Sequence, residues 1–139
     1  MKVKCTSKEE VIQYLIDERR MQNVSIRDLA ETCHMWSNQL VQILTVTNNP
    51  QLDSIVLVGN ALGVYFSTDT CSNYNKTAEE LIDLLAEARI FREITTRELA
   101  TLSGATQSSV CGILSHKIMP RLSTYLNLAH ALGVELQMY

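Results

Sequence analysis

Gln107, Ser108 and Ser109 set an amide and two hydroxyls side by side, inside a stretch written as two short helices and a tight turn. Thr95 and Glu98 form an S/T-x-x-E capping box, in which the hydroxyl accepts from the amide three residues on while the carboxylate reaches back. Leu99, Ala100 and Leu102 supply the inner face of the helix that starts there, and Gly104 stands where the turn needs positive φ. Thr106 caps a second helix that buries Val110, Ile113 and Leu114, and Ala100 is small enough to let the two helices approach. The spacing turns Gln107 to Ser109 outward on the first turn of that second helix, as a ridge able to enter a major groove.

Catalysis finds no comparable arrangement. There is no glycine-rich phosphate loop and no Cys/His or Ser/His/Asp grouping, and the pairs Glu9-Glu10 and Glu79-Glu80 are explained by the positive ends of first helices. His34, His116 and His130 make no metal-like cluster, and Cys5, Cys33, Cys71 and Cys111 are spaced too widely for a CxxC motif. Cys33 and Cys111 fall at apolar positions of predicted helices, which reads as buried thiols. The chain is expected to be no enzyme and to hold no cofactor and no metal.

Length and composition set the frame that must position the ridge. With 139 residues, 46% of them hydrophobic and only 5 Gly and 2 Pro, the chain reads as one ordinary domain or two small ones, folded and mainly helical. No stretch approaches the roughly 18 uninterrupted apolar residues of a membrane span, and the N-terminus runs straight into polar sequence, so a cytoplasmic protein is expected. A formal charge of −3 argues against a uniformly basic nucleic-acid binder, so the placement of the cations matters more than their sum.

The chain repeats itself at an offset of 70. Glu9-Glu10 falls on Glu79-Glu80, Ile12 on Ile82, Leu15 on Leu85, Arg19 on Arg89, Arg27 on Arg97 and Leu29-Ala30 on Leu99-Ala100. Further on, Ile43-Leu44 falls on Ile113-Leu114, Pro50 on Pro120, Leu52 on Leu122, and A-L-G-V at 61–64 on A-L-G-V at 131–134. Such a gapless match predicts two copies of one small unit. Each copy opens with a capping box, Ser7 with Glu10 and Thr77 with Glu80, and a first helix. Second and third helices follow in the first copy over Ser25 to about Cys33 and Ser37 to about Val46. Fourth helices are expected near Asp53 to Leu62 and Ser123 to Leu132, with Asp53 and Ser123 as caps and Gly63 and Gly133 at the C-terminal ends. Short β-prone runs come after each terminal glycine, Val64 to Phe66 and Val134 to Tyr139. The expected architecture is all-α: a first domain at 1–66, a polar linker at 67–76, and a second domain at 77–139.

On these residues the chain resembles the lambda-repressor-like helix-turn-helix family, also called XRE or Cro/repressor-type, over nearly its whole length twice. The second copy carries the better match, with R-E-L-A at Arg97 to Ala100, S-G-A-T-Q-S-S-V at Ser103 to Val110, P-R-L-S-T at Pro120 to Thr124 and A-L-G-V at Ala131 to Val134 in the family's order. The resemblance implies that the third helix of this copy reads base edges with Gln107, Ser108 and Ser109, Gln107 foremost because its amide both donates to and accepts from adenine. It also implies that Thr95, Arg97, His116, Lys117 and Arg121 flank that helix as backbone anchors, and that the capping Thr106 belongs to the DNA-binding surface. Gly112 leaves no side chain where a long polar one would extend the footprint. A bacterial or phage-encoded protein associated with double-stranded DNA follows from the same resemblance.

The first copy departs from the pattern. His34 replaces the turn glycine, and Trp36 stands in for the capping Thr106, with Ser37 able to cap one residue later. From Asp28 to Asn75 there is no Lys or Arg, so Ser37, Asn38, Gln39 and Gln42 form a candidate reading surface with no cation nearby in sequence.

Two functions are compatible with these features. One is a sequence-specific transcriptional regulator whose β-prone runs pair with each other as an intra-chain pseudo-dimer, or with a second chain as a homodimer. The other is a protein-interaction module on the same fold, such as an antitoxin or anti-repressor with a protein partner. The acidic balance, Trp36 and the A-L-G-V-E-L-Q-M-Y run favour the second.

Overall fold

A computed structural model describes residues 3–71 and 76–139 of the chain. It is mostly helical with a small three-stranded sheet. Strand β1 (Val3–Cys5) leads into α1 (Lys8–Met21), α2 (Ile26–Thr32), α3 (Ser37–Ile43) and α4 (Leu52–Ala61), then β2 (Phe66–Thr68). The second half repeats the order with α5 (Ala78–Phe91), α6 (Thr96–Ser103), α7 (Gln107–Leu114), α8 (Leu122–Ala131) and β3 (Leu136–Met138).

Local signals account for most helix starts. The Oγ1 atoms of Thr77 and Thr95 accept from the amides of Glu80 and Glu98, whose carboxylates return to the cap amides at 3.0 and 3.3 Å. Ser7 accepts from Glu10 in the same way, but that carboxylate takes the hydroxyls of Thr6 and Ser7 rather than an amide. Three left-handed positions repeat with the sequence, Asn23 with Glu93, His34 with Gly104 and Gly63 with Gly133, while His116 at φ 64 has no such counterpart at Val46. The arginines at one repeated position do one job twice. Arg19 Nη1 donates to the Val24 carbonyl at 2.8 Å and Arg89 Nη1 to that of Ile94 at 2.9 Å, closing the turn after each first helix. That identity is structural.

Several expectations fail at the fourth helices and the sheet. The N-caps of α4 and α8 are Gln51 and Arg121, not Asp53 and Ser123, which lie one residue inside their helices, and neither true cap makes a side-chain cap bond. The reason is tertiary: Leu52 N donates to the Pro120 carbonyl and Leu122 N to that of Pro50, so each helix start is held by the other half. Ser67 and Thr68, read as linker, lie in β2 and are buried, and Lys76 N bonds the Phe66 carbonyl. The rest of that linker, Ser72 to Asn75, lies outside the described residues. Val3 to Cys5, for which the sequence suggests no element, pairs as an edge strand.

The sheet has the order β1-β3-β2, antiparallel throughout. In the β2/β3 ladder Ser67 faces Gln137, residues 70 apart, and Phe66 and Thr68 face Met138 and Leu136. An isolated bridge joins Gln51 to Arg121, again 70 apart. A two-fold operation relating the halves must carry each of these pairs onto itself, so both contacts lie on one pseudo-two-fold axis. The runs after Gly63 and Gly133 therefore pair within the chain. One hydrophobic core runs through both halves, with α1 against α8 and α4 against α5 and α8. Tyr125 is fully buried in it, its hydroxyl donating to the Leu81 carbonyl at 3.0 Å. Packing is complementary rather than identical in the two halves. A Cβ on Gly59 would meet Phe66 Cε2 at 2.5 Å, and at the equivalent positions Ala129 is accompanied by the smaller Leu136.

Candidate nucleic-acid interface

The turn between α6 and α7 is built from Gly104 at φ 74, whose amide donates back to the Ala100 carbonyl. Leu99 and Ala100 are buried beneath it together with Val110 and Ile113 of α7, so the two helices are clamped along one face. Leu114 is half-buried. Leu102, expected on that inner face, is 62% exposed: two residues on from the buried Ala100, it points to the opposite side of the helix.

Thr106 caps α7, accepting from Ser109 N at 3.1 Å and donating to the Ser109 hydroxyl at 2.9 Å. Gln107 and Ser108 are exposed and Ser109 is half-buried. Gln107 Nε2 donates to Thr96 Oγ1 at 3.2 Å, which holds the amide across the mouth of the turn and leaves its carbonyl oxygen able to accept. Thr96 was not singled out in the sequence because its counterpart, Ile26, gives no hint of a polar role. Cys111 is exposed on the same side of α7, four residues after Gln107, rather than buried as its apolar setting suggested. Cys33 is buried, and all four thiols are free. Gly112 has a steric role: a Cβ there would collide with the Ile118 side chain.

The flanking residues divide into three groups. Thr95, Arg97 and Lys117 are exposed near the two ends of the α6–α7 unit, although the Thr95 hydroxyl already serves Glu98. His116, at φ 64, is engaged: its Nε2 lies 2.7 Å from Asp83 Oδ1 of α5, which ties the loop after α7 to the first helix of that half. Arg121 turns away from α7. Its Nη1 donates to the Asn49 carbonyl at 2.8 Å, in the first half.

In the first half, α3 presents Ser37, Asn38, Gln39 and Gln42, all exposed. The helix begins at Ser37, so Trp36 is the N-cap residue and Ser37 is the first helical residue rather than the cap. Compensation comes from Gln39, whose Oε1 accepts from Trp36 N at 3.2 Å. Trp36 is 79% exposed, and Val41 of α3 is exposed as well. His34 supports the turn at φ 55, its imidazole filling no core position.

Asn49 is the residue that sequence inspection passed over. Its Oδ1 accepts from Ser123 N at 3.1 Å and its Nδ2 donates to Ser123 Oγ at 2.7 Å, so a side chain of the first half caps the last helix of the second. The repeat gives no warning of this, since Asn49 aligns with Met119. Among the described residues no group of His, Cys, Asp or Glu is placed to hold a metal, and no helix is long and apolar enough to cross a membrane. Compared with protein-family models, curated proteins and solved structures, the chain finds no match in any of the three.

Proposed function

We propose that the chain is a sequence-specific DNA-binding transcriptional regulator, built from two tandem lambda-repressor-like helix-turn-helix units, with α7 entering the major groove. The observation that carries this is the outward edge of α7, where Gln107 and Ser108 are exposed at the first turn of a helix clamped to its neighbour through Leu99, Ala100, Val110 and Ile113. Gln107 offers a donor and an acceptor to adenine, Ser108 and Ser109 offer hydroxyls, and Arg97 and Lys117 are available to phosphates. The pseudo-two-fold axis adds support, because it relates α3 to α7 within one chain, as the two reading helices of a dimer are related. On this proposal the protein acts by binding, in the cytoplasm, without catalysis.

The test is selection of bound duplexes from a random pool with the intact chain and with Gln107→Ala. Loss of preference at one or two base pairs, worth about 1–3 kcal/mol each, is expected. An unchanged motif removes Gln107 from the reading surface.

One observation favours a protein-interaction module instead: Trp36, the most exposed of the large side chains on the α3 side, sits on a face without cations of its own. A gel-shift salt titration separates the two. Phosphate-anchored binding weakens steeply with salt, whereas a partner held by Trp36 and Val41 responds weakly.

A further inference from the structure

We infer that the reading face of the first half borrows its cation from the second: Arg121 reaches across the seam to hold a backbone phosphate of duplex DNA in the groove beside Gln39 and Gln42. This rests on the DNA-binding proposal and deepens it. The groove encloses about 470 Å³ and is lined by Gln39, Gln42, Asn48, Gln51 and Ser54 of the first half and Arg121 of the second. No carboxylate lines it. The first half has no Lys or Arg from Asp28 to Asn75, so α3 and the loop after it carry no cation of their own; Arg27, the counterpart of Arg97, stands at the start of α2 and pairs with Glu31 at 3.8 Å.

The backbone at Arg121 is fixed on the pseudo-two-fold axis by its bridge to Gln51, and one guanidinium donor is taken by the Asn49 carbonyl. Arg121 is exposed and lines the groove, and its guanidinium carries further donors beyond the one that Asn49 takes. The matching position in the first half is Gln51, so no arginine makes the reverse crossing toward α7. The α7 side has Lys117 in its own following loop, where the first half has Thr47. Each reading helix thus gains a cation, one from its own loop and one from across the seam.

The experiment is phosphate-ethylation interference on a duplex selected by the intact chain, with the α7 half-site identified as the one altered by Gln107→Ala. Arg121→Gln is expected to erase interference at phosphates in the other half-site, leave the α7 half-site intact, and reduce the slope of log affinity against log salt by about 0.9. Gln42→Lys, which places a second cation in the groove without touching the seam, is expected to steepen that slope by a similar amount and to tighten binding. It decides the matter if Arg121→Gln loosens the fold, as read by thermal unfolding. Interference lost on the α7 side, or a slope unmoved by both variants, overturns the inference while leaving DNA binding in place. Failure of the unaltered chain to select any duplex overturns DNA binding itself, and this site with it.

Discussion

Gly104 and His34 occupy the same turn position in the two halves, both at positive φ, and differ in what the backbone conformation costs them. A Cβ in the left-handed region is penalised by about 1–2 kcal/mol, so Gly104→Ala is expected to destabilise by roughly that amount even though open space surrounds the site. Chemical denaturation measures it; a change within error would mean that the turn relaxes. The cysteines give a second residue-scale prediction. Burial, aided by the negative charge of Glu10, pushes the Cys5 thiol from 9.0 up to about 12, and burial raises Cys33 as well. The fold therefore prefers the neutral thiol. The stability this contributes is complete below pH 9 and is lost as pH rises between 9 and about 12, where the unfolded chain gives up its proton first. A pH series of unfolding midpoints checks the direction. In the native state at pH 8, iodoacetamide should label Cys111 while sparing Cys5 and Cys33, read by mass spectrometry of the intact protein.

Among the elements, α8 is unusual because its cap comes from elsewhere in the fold. Asn49→Ala removes both bonds to Ser123 and is expected to cost about 1 kcal/mol, the ordinary worth of an N-cap. Thr106→Ala is expected to cost about as much through the start of α7 and, on the proposed function, to weaken DNA binding by letting that first turn fray. Asn49→Ala acts on the seam instead. If both variants lowered stability but only Asn49→Ala lowered DNA affinity, the first turn of α7 would have no part in reading. Helix α7 also shows why an apolar pattern misleads at short length: with eight residues, its inner face is satisfied by Val110 and Ile113, and Cys111 is left to solvent.

For the whole molecule the determining fact is that β2 pairs with β3 inside one chain while α1 packs on α8 and α4 on α5. A core shared in this way has no separable halves. A single calorimetric transition is expected, with matching calorimetric and van't Hoff enthalpies, and two resolved transitions would refute the shared core. Because the ladder that would join two chains is already formed internally, sedimentation should find a monomer, which on the proposed function binds one duplex. A stable dimer assembled through residues 64–68 and 134–139 would contradict the intra-chain pairing. The two unlike faces, one with Gln107 and Lys117 and the other with Trp36, Gln39 and Gln42, predict an asymmetric site for that monomer.

What the chain's letters determined alone is local or periodic. Capping boxes at Thr77 and Thr95, the turn at Gly104, the buried stripe of each first helix and the doubling at offset 70 all depend on neighbours within a few residues or on direct comparison of the two copies. The outward setting of Gln107 follows from the same short-range rules. Only tertiary structure decided what happens between the halves: that Ser67 and Thr68 leave the linker for a buried strand, that Val3 to Cys5 joins the sheet, that Asn49 caps α8, and that Arg121 serves the opposite half. These contacts join residues more than 60 positions apart, several of them at places where the copies differ, such as Asn49 with Met119. Neither propensity nor periodicity reports on such pairs, because their energy exists only once the two halves have closed on a common axis.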